Sequence, residues 1–211
     1  MAITEPFDEH FQAYEDWFTQ HHHAYLSELN AVSHFIPHTG EGLEIGVGSG
    51  RFADPLKIRL GVEPSPAMRR LSHTRGIEVF DAVAESLPFA NESFDFVLMV
   101  TTLCFVDDVK KAFQEAKRVL RGGGVFVNGF VDKDSPLGKL YENHKEESPF
   151  YRRANFYSSQ QVLNLLRQTG FERPQTIQTL FGPLERIRSA QSFRSGHGEG
   201  GFVVIRSAKR E

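Results

Sequence analysis

The segment from Leu43 to Phe52, LEIGVGSGRF, places an acidic residue before a turn that is rich in glycine. Glycine stands at positions 46, 48 and 50 of this segment. Because glycine lacks a Cβ and tolerates positive φ, such a turn lets the backbone approach a ligand closely. Three kinds of ligand bind to turns of this type after a strand: a dinucleotide, a nucleoside triphosphate and S-adenosylmethionine.

The residues around the glycines discriminate between these ligands. A triphosphate-binding loop ends in Gly-Lys-Ser/Thr, whereas Gly50 is followed by Arg51 and Phe52. A dinucleotide fingerprint, G-x-G-x-x-G, would place its third glycine at position 51, which is arginine. Glu44 adds like charge to a phosphate but suits a ligand that carries an ammonium or sulfonium group. The motif therefore favours a cationic ligand.

The elements that must hold this turn alternate along the chain. Apolar and aromatic residues recur at helical spacing from residue 7 to 35, which predicts helices before the first strand. Short apolar runs predict strands at 42–45, 60–63, 77–80, 94–100 and 125–130. Helices are predicted between them at 52–58, 65–75 and 107–120. This alternation implies right-handed βαβ crossovers.

The regular alternation of predicted strands and helices ends after the fifth strand. Residues 134–153 predict a polar helical insertion, and Ser158 or Ser159 caps a helix that stops at Gly170. Residues 176–181 and 202–206 predict two strands that pair antiparallel. We therefore predict an α/β fold with a Rossmann-like, doubly wound, mostly parallel sheet of about seven strands, an antiparallel edge and N-terminal helices. Ligands bind such sheets at the carboxyl ends of the strands, where the glycine turn lies.

Composition and charge narrow the class of protein. A net charge of -3 gives no general attraction to nucleic acid. Mean hydropathy of -0.35, with no window of roughly 18 to 20 apolar residues, argues against a membrane protein. The N-terminal segment is acidic and aromatic, unlike a signal peptide, so we expect a cytoplasmic protein. We also expect either a monomer or a homodimer. The single cysteine, Cys104, excludes an internal disulfide.

Four segments resemble one protein family in order and spacing. LEIGVGSGRF resembles the first motif of the class I S-adenosylmethionine-dependent methyltransferases, and GVEPSPAM at 61–68 resembles the end of their second strand. AVAESLPFANESFDFVLMV at 82–100 and LRGGGVFV at 120–127 are similar to the ubiquinone-biosynthesis-type subgroup. The match covers about residues 40–130. The resemblance implies transfer of a methyl group from S-adenosylmethionine to a small-molecule acceptor.

The resemblance also implies which residues bind the cofactor. Glu44 would favour its amino and sulfonium groups, and Glu63 would accept hydrogen bonds from both ribose hydroxyls. The full implied set is Glu44, Gly46, Val47, Gly48, Gly50, Glu63, Pro64, Met68, Ala84, Glu85, Val100 and Thr101. Val83 stands where many relatives carry an aspartate that accepts from the adenine amino group. The adenine contact is therefore expected to be apolar and to use backbone groups.

The acceptor pocket is expected on segments that flank the core. We predict a single domain over 1–211, with a helical lid at 1–38, a cofactor-binding core at 40–130 and an insertion at 134–157 that helps to form the acceptor pocket. Tyr14, Trp17, Tyr141 and His144 are the candidate pocket residues. A sulfonium methyl group is already reactive, so orientation and exclusion of water can supply most of the catalysis. No catalytic residue is assigned, although Tyr14, Tyr141 and His144 are candidates if the acceptor must lose a proton.

Two other functions stay open from the sequence. A non-catalytic S-adenosylmethionine-binding protein would carry the same motifs, and an NAD-dependent oxidoreductase would share the fold but not the position of the third glycine. A metal site is not expected from the run His21, His22 and His23. Adjacent residues on a helix point about 100° apart and cannot face one ion together, and no nearby acid or cysteine completes a ligand set.

Overall fold

Residues 3–211 are described by a computed structural model, which contains one mixed sheet with helices on both faces. The α-helices are α1 (Glu5–Glu9), α2 (Phe11–Gln20), α3 (His22–Phe35), α4 (Pro66–Thr74), α5 (Val109–Val119), α6 (Pro136–Asn143) and α7 (Ser159–Gln168). The strands are β1 (Gly42–Ile45), β2 (Leu60–Val62), β3 (Glu78–Phe80), β4 (Phe94–Val100), β5 (Leu120–Val131), β6 (Phe171–Thr179), β7 (Arg194–Ser195) and β8 (Phe202–Lys209). Short 3₁₀ helices occupy Leu103–Phe105, Lys145–Glu147 and Leu184–Arg186.

The sheet has eight strands in the order β3-β2-β1-β4-β5-β8-β6-β7. Strands β1 to β5 run parallel, whereas β8 is antiparallel to both β5 and β6. The direction of winding reverses between β1 and β4, so a crevice forms at the carboxyl ends of these strands. The predicted doubly wound, mostly parallel sheet with an antiparallel edge is confirmed. The unpredicted strand is β7, whose two residues are too few to carry a periodic signal.

Three local predictions were wrong. Residues 51–57 form turns instead of the helix predicted at 52–58. Pro55 has no N–H to donate, and Lys57 has a φ of 60°, so a regular helical ladder cannot form there. The fifth strand was predicted to begin at residue 125, but β5 begins at Leu120 and includes the glycines at 122–124, with a register shift opposite Phe94 and Phe96. The insertion after β5 is helical only over Pro136–Asn143 and Lys145–Glu147.

Strand β4 is buried on both faces, as its nearly continuous apolar run predicts. Val97 and Met99 pack in the cluster that contains α5 and α7. Leu98 and Val100 pack in the opposite cluster, which contains Ala31 of α3. Because both faces are filled, the carboxyl end of β4 is held firmly beside that of β1.

The carboxylate of Glu15 joins α2 to the glycine turn. It accepts hydrogen bonds from the Ser49 hydroxyl, from Arg51 Nη2 at 2.5 Å and from Arg75 Nη2 at 2.7 Å. Burial raises the pKa of Glu15, but the hydrogen bonds from Arg51, Ser49 and Arg75 together outweigh burial and hold that pKa below its ordinary value. The N-terminal helices are therefore attached to the motif that the sequence singles out.

A second acidic residue, Asp8 of α1, attaches the same helices to α4. Its Oδ1 accepts from the Ser65 hydroxyl at 2.6 Å and from the Ala67 amide at 3.1 Å. Ser65 is also the N-cap of α4 and accepts from the Met68 amide at 3.2 Å. A carboxylate at a helix N-terminus is favoured by the unpaired amides and the helix dipole.

Replacing Glu15 by alanine is expected to release α1 and α2 locally. Loss of a hydrogen bond between charged groups costs about 1.5–3 kcal/mol, so amide exchange over residues 5–20 should accelerate while β4 and β5 stay protected. The wild-type pKa of Glu15 is lowered, so its stabilisation is present above the unfolded-state pKa and is lost as pH falls through the folded-state pKa. Asp16→Asn, at an exposed position of α2, is the matched control. Unchanged exchange in the alanine variant would contradict this attachment.

Candidate active site

A cavity of about 470 Å³ lies at the carboxyl ends of β1, β2, β4 and β5. The N-terminal helices and the segment from Leu140 to Tyr157 supply its other walls. The predicted cofactor residues that line it are Gly46, Gly48, Glu63, Pro64, Met68, Ala84, Glu85, Val100 and Thr101. All of the predicted acceptor residues, Tyr14, Trp17, Tyr141 and His144, also line it. One cavity thus joins the two sets that the sequence predicts separately.

Three of the predicted cofactor residues lie behind the cavity wall. Val47 is buried among core residues and packs against Gly61. A Cβ on Gly50 would lie 2.5 Å from Ile77 Cδ1, so this glycine allows the turn to pack on the core. Glu44 is buried as well and does not line the cavity. Val47 and Gly50 therefore support the turn from its inner side.

Gly46 and Gly48 both have positive φ, at 68° and 55°. A Cβ on Gly46 would come within 2.3 Å of the Thr102 side chain, and one on Gly48 within 3.0 Å of the Tyr14 hydroxyl. A larger residue at either position would strain the backbone and displace a side chain that lines the cavity. Thr101, just after β4, also has positive φ, at 51°, which is uncommon for threonine.

Glu63 lies at the end of β2 with a side chain that is almost completely buried. Its Oε2 accepts from the Gly48 amide at 3.1 Å, and its Oε1 accepts from the Ser65 amide at 2.8 Å. Burial raises the pKa of Glu63 to about 7, although the two backbone hydrogen bonds oppose this shift. The carboxylate is thus oriented by the glycine turn on one side and by the start of α4 on the other.

Glu44 brings a buried carboxylate next to the glycine turn. Its Oε2 has no hydrogen-bond partner within residues 3–211, and the side chain is 2% exposed. Burial raises the pKa of Glu44 well above its ordinary value, against a hydrogen bond from the Ala53 backbone. Burial, followed by the charges of Glu63 and Glu44, also raises the pKa of Tyr14, whose ring lines the cavity. This end of the cavity is complementary to positive charge.

The loop at 82–85 forms the wall where the adenine contact is predicted. Val83, Ala84 and Glu85 line the cavity, and Val83 makes a β-bridge with Ser86. The carboxylate of Glu85 accepts from the Asp107 and Asp108 amides at 2.9 and 3.0 Å, which ties this loop to the start of α5. Glu85 thus acts on the shape of the loop, and the wall beside it is apolar.

Asp81 does not replace the aspartate that is missing at position 83. Its carboxylate pairs with Arg69 at 2.9 Å, and its side chain is largely exposed. It does not line the cavity. The cavity therefore meets this loop at Ala82, Val83, Ala84 and Glu85, and the apolar and backbone contact to adenine stays a prediction.

Aromatic side chains form the other end of the cavity. The rings of Tyr141 and Tyr151 stack with centroids 5.0 Å apart, and Phe156 lies 5.5 Å from Tyr151. Trp17 and Tyr141 both line the cavity. His144 also lines it, with Nδ1 3.0 Å from the Leu140 carbonyl oxygen. The insertion and α2 thus meet in an apolar, aromatic wall.

Several cavity residues escape the sequence analysis. Glu28 of α3, Phe7 of α1 and Thr102 after β4 line the cavity. Cys104 lines it as well, and burial raises the pKa of its thiol to about 12, which keeps it protonated. Glu28 carried a usable signal, because it is an acid among the buried residues Ala24, Ser27, Ala31 and Val32 of the same helix.

Two kinds of feature are absent from residues 3–211. This part of the chain contains no cluster of three or more histidine, cysteine, aspartate or glutamate side chains placed to hold a metal. None of its helices is both long enough and apolar enough to cross a membrane.

Comparisons with known proteins agree with this geometry. Residues 43–128 match the family model described as "Methyltransferase domain". A solved structure from Thermotoga maritima, described as a SAM-dependent methyltransferase and possible histamine N-methyltransferase, is 48% identical with a TM-score of 0.96, covering 99% of this chain and 100% of its own. An uncharacterized protein of Methanocaldococcus jannaschii is 44% identical over 203 residues, which cover 96% of this chain and 98% of that protein. An uncharacterized protein of Mycobacterium tuberculosis is 43% identical over 166 residues, or 77% of this chain and 58% of that protein.

The fold and the cavity define a class I methyltransferase. The chain belongs to the S-adenosylmethionine-dependent methyltransferases and is an enzyme that uses this cofactor. The residues present fit the cofactor, because Glu44 keeps a buried oxygen without a partner and Glu63 is held at the cavity wall. This assignment replaces the NAD-dependent alternative and the non-catalytic one. The ubiquinone-biosynthesis subgroup stays a prediction.

Replacing Glu63 by alanine is expected to weaken binding of S-adenosylmethionine. Loss of hydrogen bonds to a charged group costs about 1.5–3 kcal/mol, which titration calorimetry would measure as a higher dissociation constant. Glu78→Ala, at an exposed position of the neighbouring strand β3, is the control. An unchanged dissociation constant in a folded Glu63→Ala protein would remove this residue from the site.

Replacing Glu44 by glutamine is expected to stabilise the ligand-free protein at neutral pH and weaken cofactor binding. The folded-state pKa of Glu44 is raised, so the stability it contributes is present below the unfolded-state pKa and is lost as pH rises through the folded-state pKa. Glutamine does not ionise and so does not lose this stability as pH rises. The thermal midpoint of the variant at pH 8 should therefore rise by about 2–4 °C for each 1 kcal/mol gained in the free energy of unfolding. Equal midpoints at pH 8 and equal affinities for the cofactor would show that Glu44 does not act through its charge.

Proposed function

We propose that this enzyme methylates a small-molecule acceptor that binds at the aromatic end of the cavity. The observation that carries the proposal is the continuity of one cavity from the glycine turn to the rings of Tyr141 and Tyr151. S-adenosylmethionine supplies a methyl group on a positively charged sulfur. Glu63 would hold the cofactor at the cavity wall, and Glu44 would add negative charge from behind that wall. The aromatic wall would orient the acceptor.

The chain's own contribution to the transfer would be positioning and exclusion of water. Burial raises the pKa of Tyr14 and of Tyr141, so both phenols keep their protons at neutral pH. These tyrosines are therefore poor bases and are better suited to pack on an acceptor or donate a hydrogen bond to it. In-line displacement needs the acceptor atom held in line with the methyl carbon and sulfur, which a closed apolar cavity favours.

The roof of the cavity supports an acceptor of small size. Glu15 and Asp8 attach α1 and α2 across the glycine turn and α4, so the N-terminal helices cover the site. A covered cavity of about 470 Å³ suits a metabolite better than a protein or nucleic-acid chain. A cytoplasmic location and a monomeric or homodimeric state stay predictions.

Incubation of the purified enzyme with methyl-labelled S-adenosylmethionine and a cell extract tests this proposal. Label is expected in the small-metabolite fraction, and histamine is a defined acceptor to include because of the description of the Thermotoga relative. Label found only in the protein or nucleic-acid fraction would overturn the small-molecule assignment.

Replacing Trp17 by alanine is expected to separate acceptor binding from cofactor binding. A buried aromatic ring contributes contact area and orientation, so methyl transfer should fall by about tenfold or more, the rate ratio given by 1.4 kcal/mol. The affinity for S-adenosylhomocysteine should stay within about twofold, because Glu44 and Glu63 are intact. Phe11→Ala, at an exposed position of the same helix, is the control. An equal loss of cofactor affinity in Trp17→Ala would assign this residue to the cofactor end.

A further inference from the structure

Glu28 is a buried acid at the aromatic end of the cavity. It lies on α3, is 4% exposed and lines the cavity with Trp17, Tyr141 and Tyr151. Within residues 3–211 its carboxylate makes no hydrogen bond or ion pair. No lysine or arginine is among the described residues that line the cavity. The acid therefore has no cationic partner from the part of the chain that the structure describes.

Such a residue is unfavourable for a ligand-free protein. Burial of an unpaired carboxylate costs free energy unless the group is protonated or finds a partner. Burial raises the pKa of Glu28 to about 8, so ionisation is disfavoured but remains accessible near neutral pH. The neighbouring buried positions of α3 hold Ala24, Ala31 and Val32, which need no partner. A ligand with positive charge would supply the cationic partner that the described part of the chain does not give to Glu28.

The surroundings of Glu28 suit an organic ammonium group. The stacked rings of Tyr141 and Tyr151 and the indole of Trp17 line the same end of the cavity. Aromatic faces attract cations, and more strongly when water is excluded. A carboxylate combined with aromatic rings binds an ammonium group by charge and its carbon frame by apolar contact.

Glu28 belongs to a different end of the cavity from Glu44 and Glu63. Besides burial, the pKa of Tyr141 is raised first by the charge of Glu28 and then by that of Glu185. The charges that raise the pKa of Tyr14 are those of Glu63, Glu44 and Glu15. Burial, followed by the charges of Tyr141, Cys104, Glu28 and Tyr14, raises the pKa of Tyr151. Glu28 lies on α3, whereas Glu44 lies in β1 and Glu63 follows β2, so Glu28 belongs to a different element from the two acids beside the glycine turn.

We propose that Glu28 binds an ammonium group of the methyl acceptor, so that the acceptor is a small amine with an apolar frame. The inference rests on the proposed function, because it names the acceptor class of the same cavity. Glu28 acts in recognition: its carboxylate pairs with the cation and fixes the orientation of the acceptor. The transfer step itself is unchanged by this assignment.

Matched amine and alcohol pairs test the assignment. The probes are 2-phenylethylamine with 2-phenylethanol, and butylamine with butan-1-ol, each titrated into enzyme saturated with S-adenosylhomocysteine. At pH 8 the wild type is expected to bind at least one amine about tenfold or more tightly than its alcohol. Glu28→Gln should lose that preference, whereas Glu185→Gln, at an exposed acid on the cavity rim, should keep it.

The pH dependence gives a second readout. An amine stays protonated up to about pH 10, so its affinity should rise by up to about tenfold per pH unit toward pH 8 and then level off as Glu28 becomes ionised. Other titratable groups face this end from the packed elements: His21 before α3, Tyr141 and His144 of the insertion, Tyr151 and Glu185. The rise should therefore disappear in Glu28→Gln, which retains all of them.

The outcomes separate this inference from the proposed function. Alcohols that bind as tightly as amines, no binding of either amine, or an amine preference retained in Glu28→Gln would each overturn the assignment of Glu28. Glu28→Gln should bind S-adenosylhomocysteine like the wild type, which shows that the variant is folded. Methyl transfer to uncharged metabolites would leave the proposed function intact and refute the amine class. Absence of transfer to any small molecule would refute the proposed function itself.

Discussion

Burial of negative charge beside one cavity is the constraint on which the site depends. Glu44, Glu63 and Glu28 are all buried, and of the three only Glu63 receives two amide hydrogen bonds, from Gly48 and Ser65. In a poorly solvated interior such carboxylates either hold a proton or require positive charge nearby. The cavity wall within residues 3–211 offers no lysine or arginine, so a cationic ligand fits where an anionic one would not.

Two arginines beside the glycine turn bind an acid of the N-terminal helices instead of an acid of the cavity wall. Arg51 and Arg75 both bind Glu15 of α2, so their charges attach the N-terminal helices to the glycine turn. Asp8 makes the corresponding attachment at the start of α4. The same motif that would hold the cofactor therefore also holds the roof, and the roof carries Tyr14 and Trp17 into the cavity.

Elements that depend on residues close together along the chain were mostly predicted correctly. Features that depend on contacts between distant residues were not. β1, β2, β4 and the capped helices α4, α5 and α7 were predicted because apolar runs and Ser65, Asp108 and Ser158 are local signals. The helix predicted at 52–58 was wrong, because Pro55 and the backbone of Lys57 prevent a regular helix. The glycines at 122–124 form an irregularity within β5, because Leu120 and Val125 on either side of them pair with Phe94 and Phe96 of β4, which is distant in sequence. β7 was missed because it has only two residues.

The sequence by itself determined the fold class and the family, since the glycine turn, Glu63 and the alternating elements lie close together along the chain and keep a fixed spacing. It also indicated the cavity walls at Val83 and at the aromatic residues of α2 and of the insertion. Only the tertiary structure decided that Gly50 and Val47 support the turn from the core, and that Glu85 ties its own loop to α5. Only the tertiary structure brought Glu28 beside Tyr141 and Tyr151, more than a hundred residues away. Such contacts depend on how α3 packs against the sheet, and no local pattern along the chain encodes that packing.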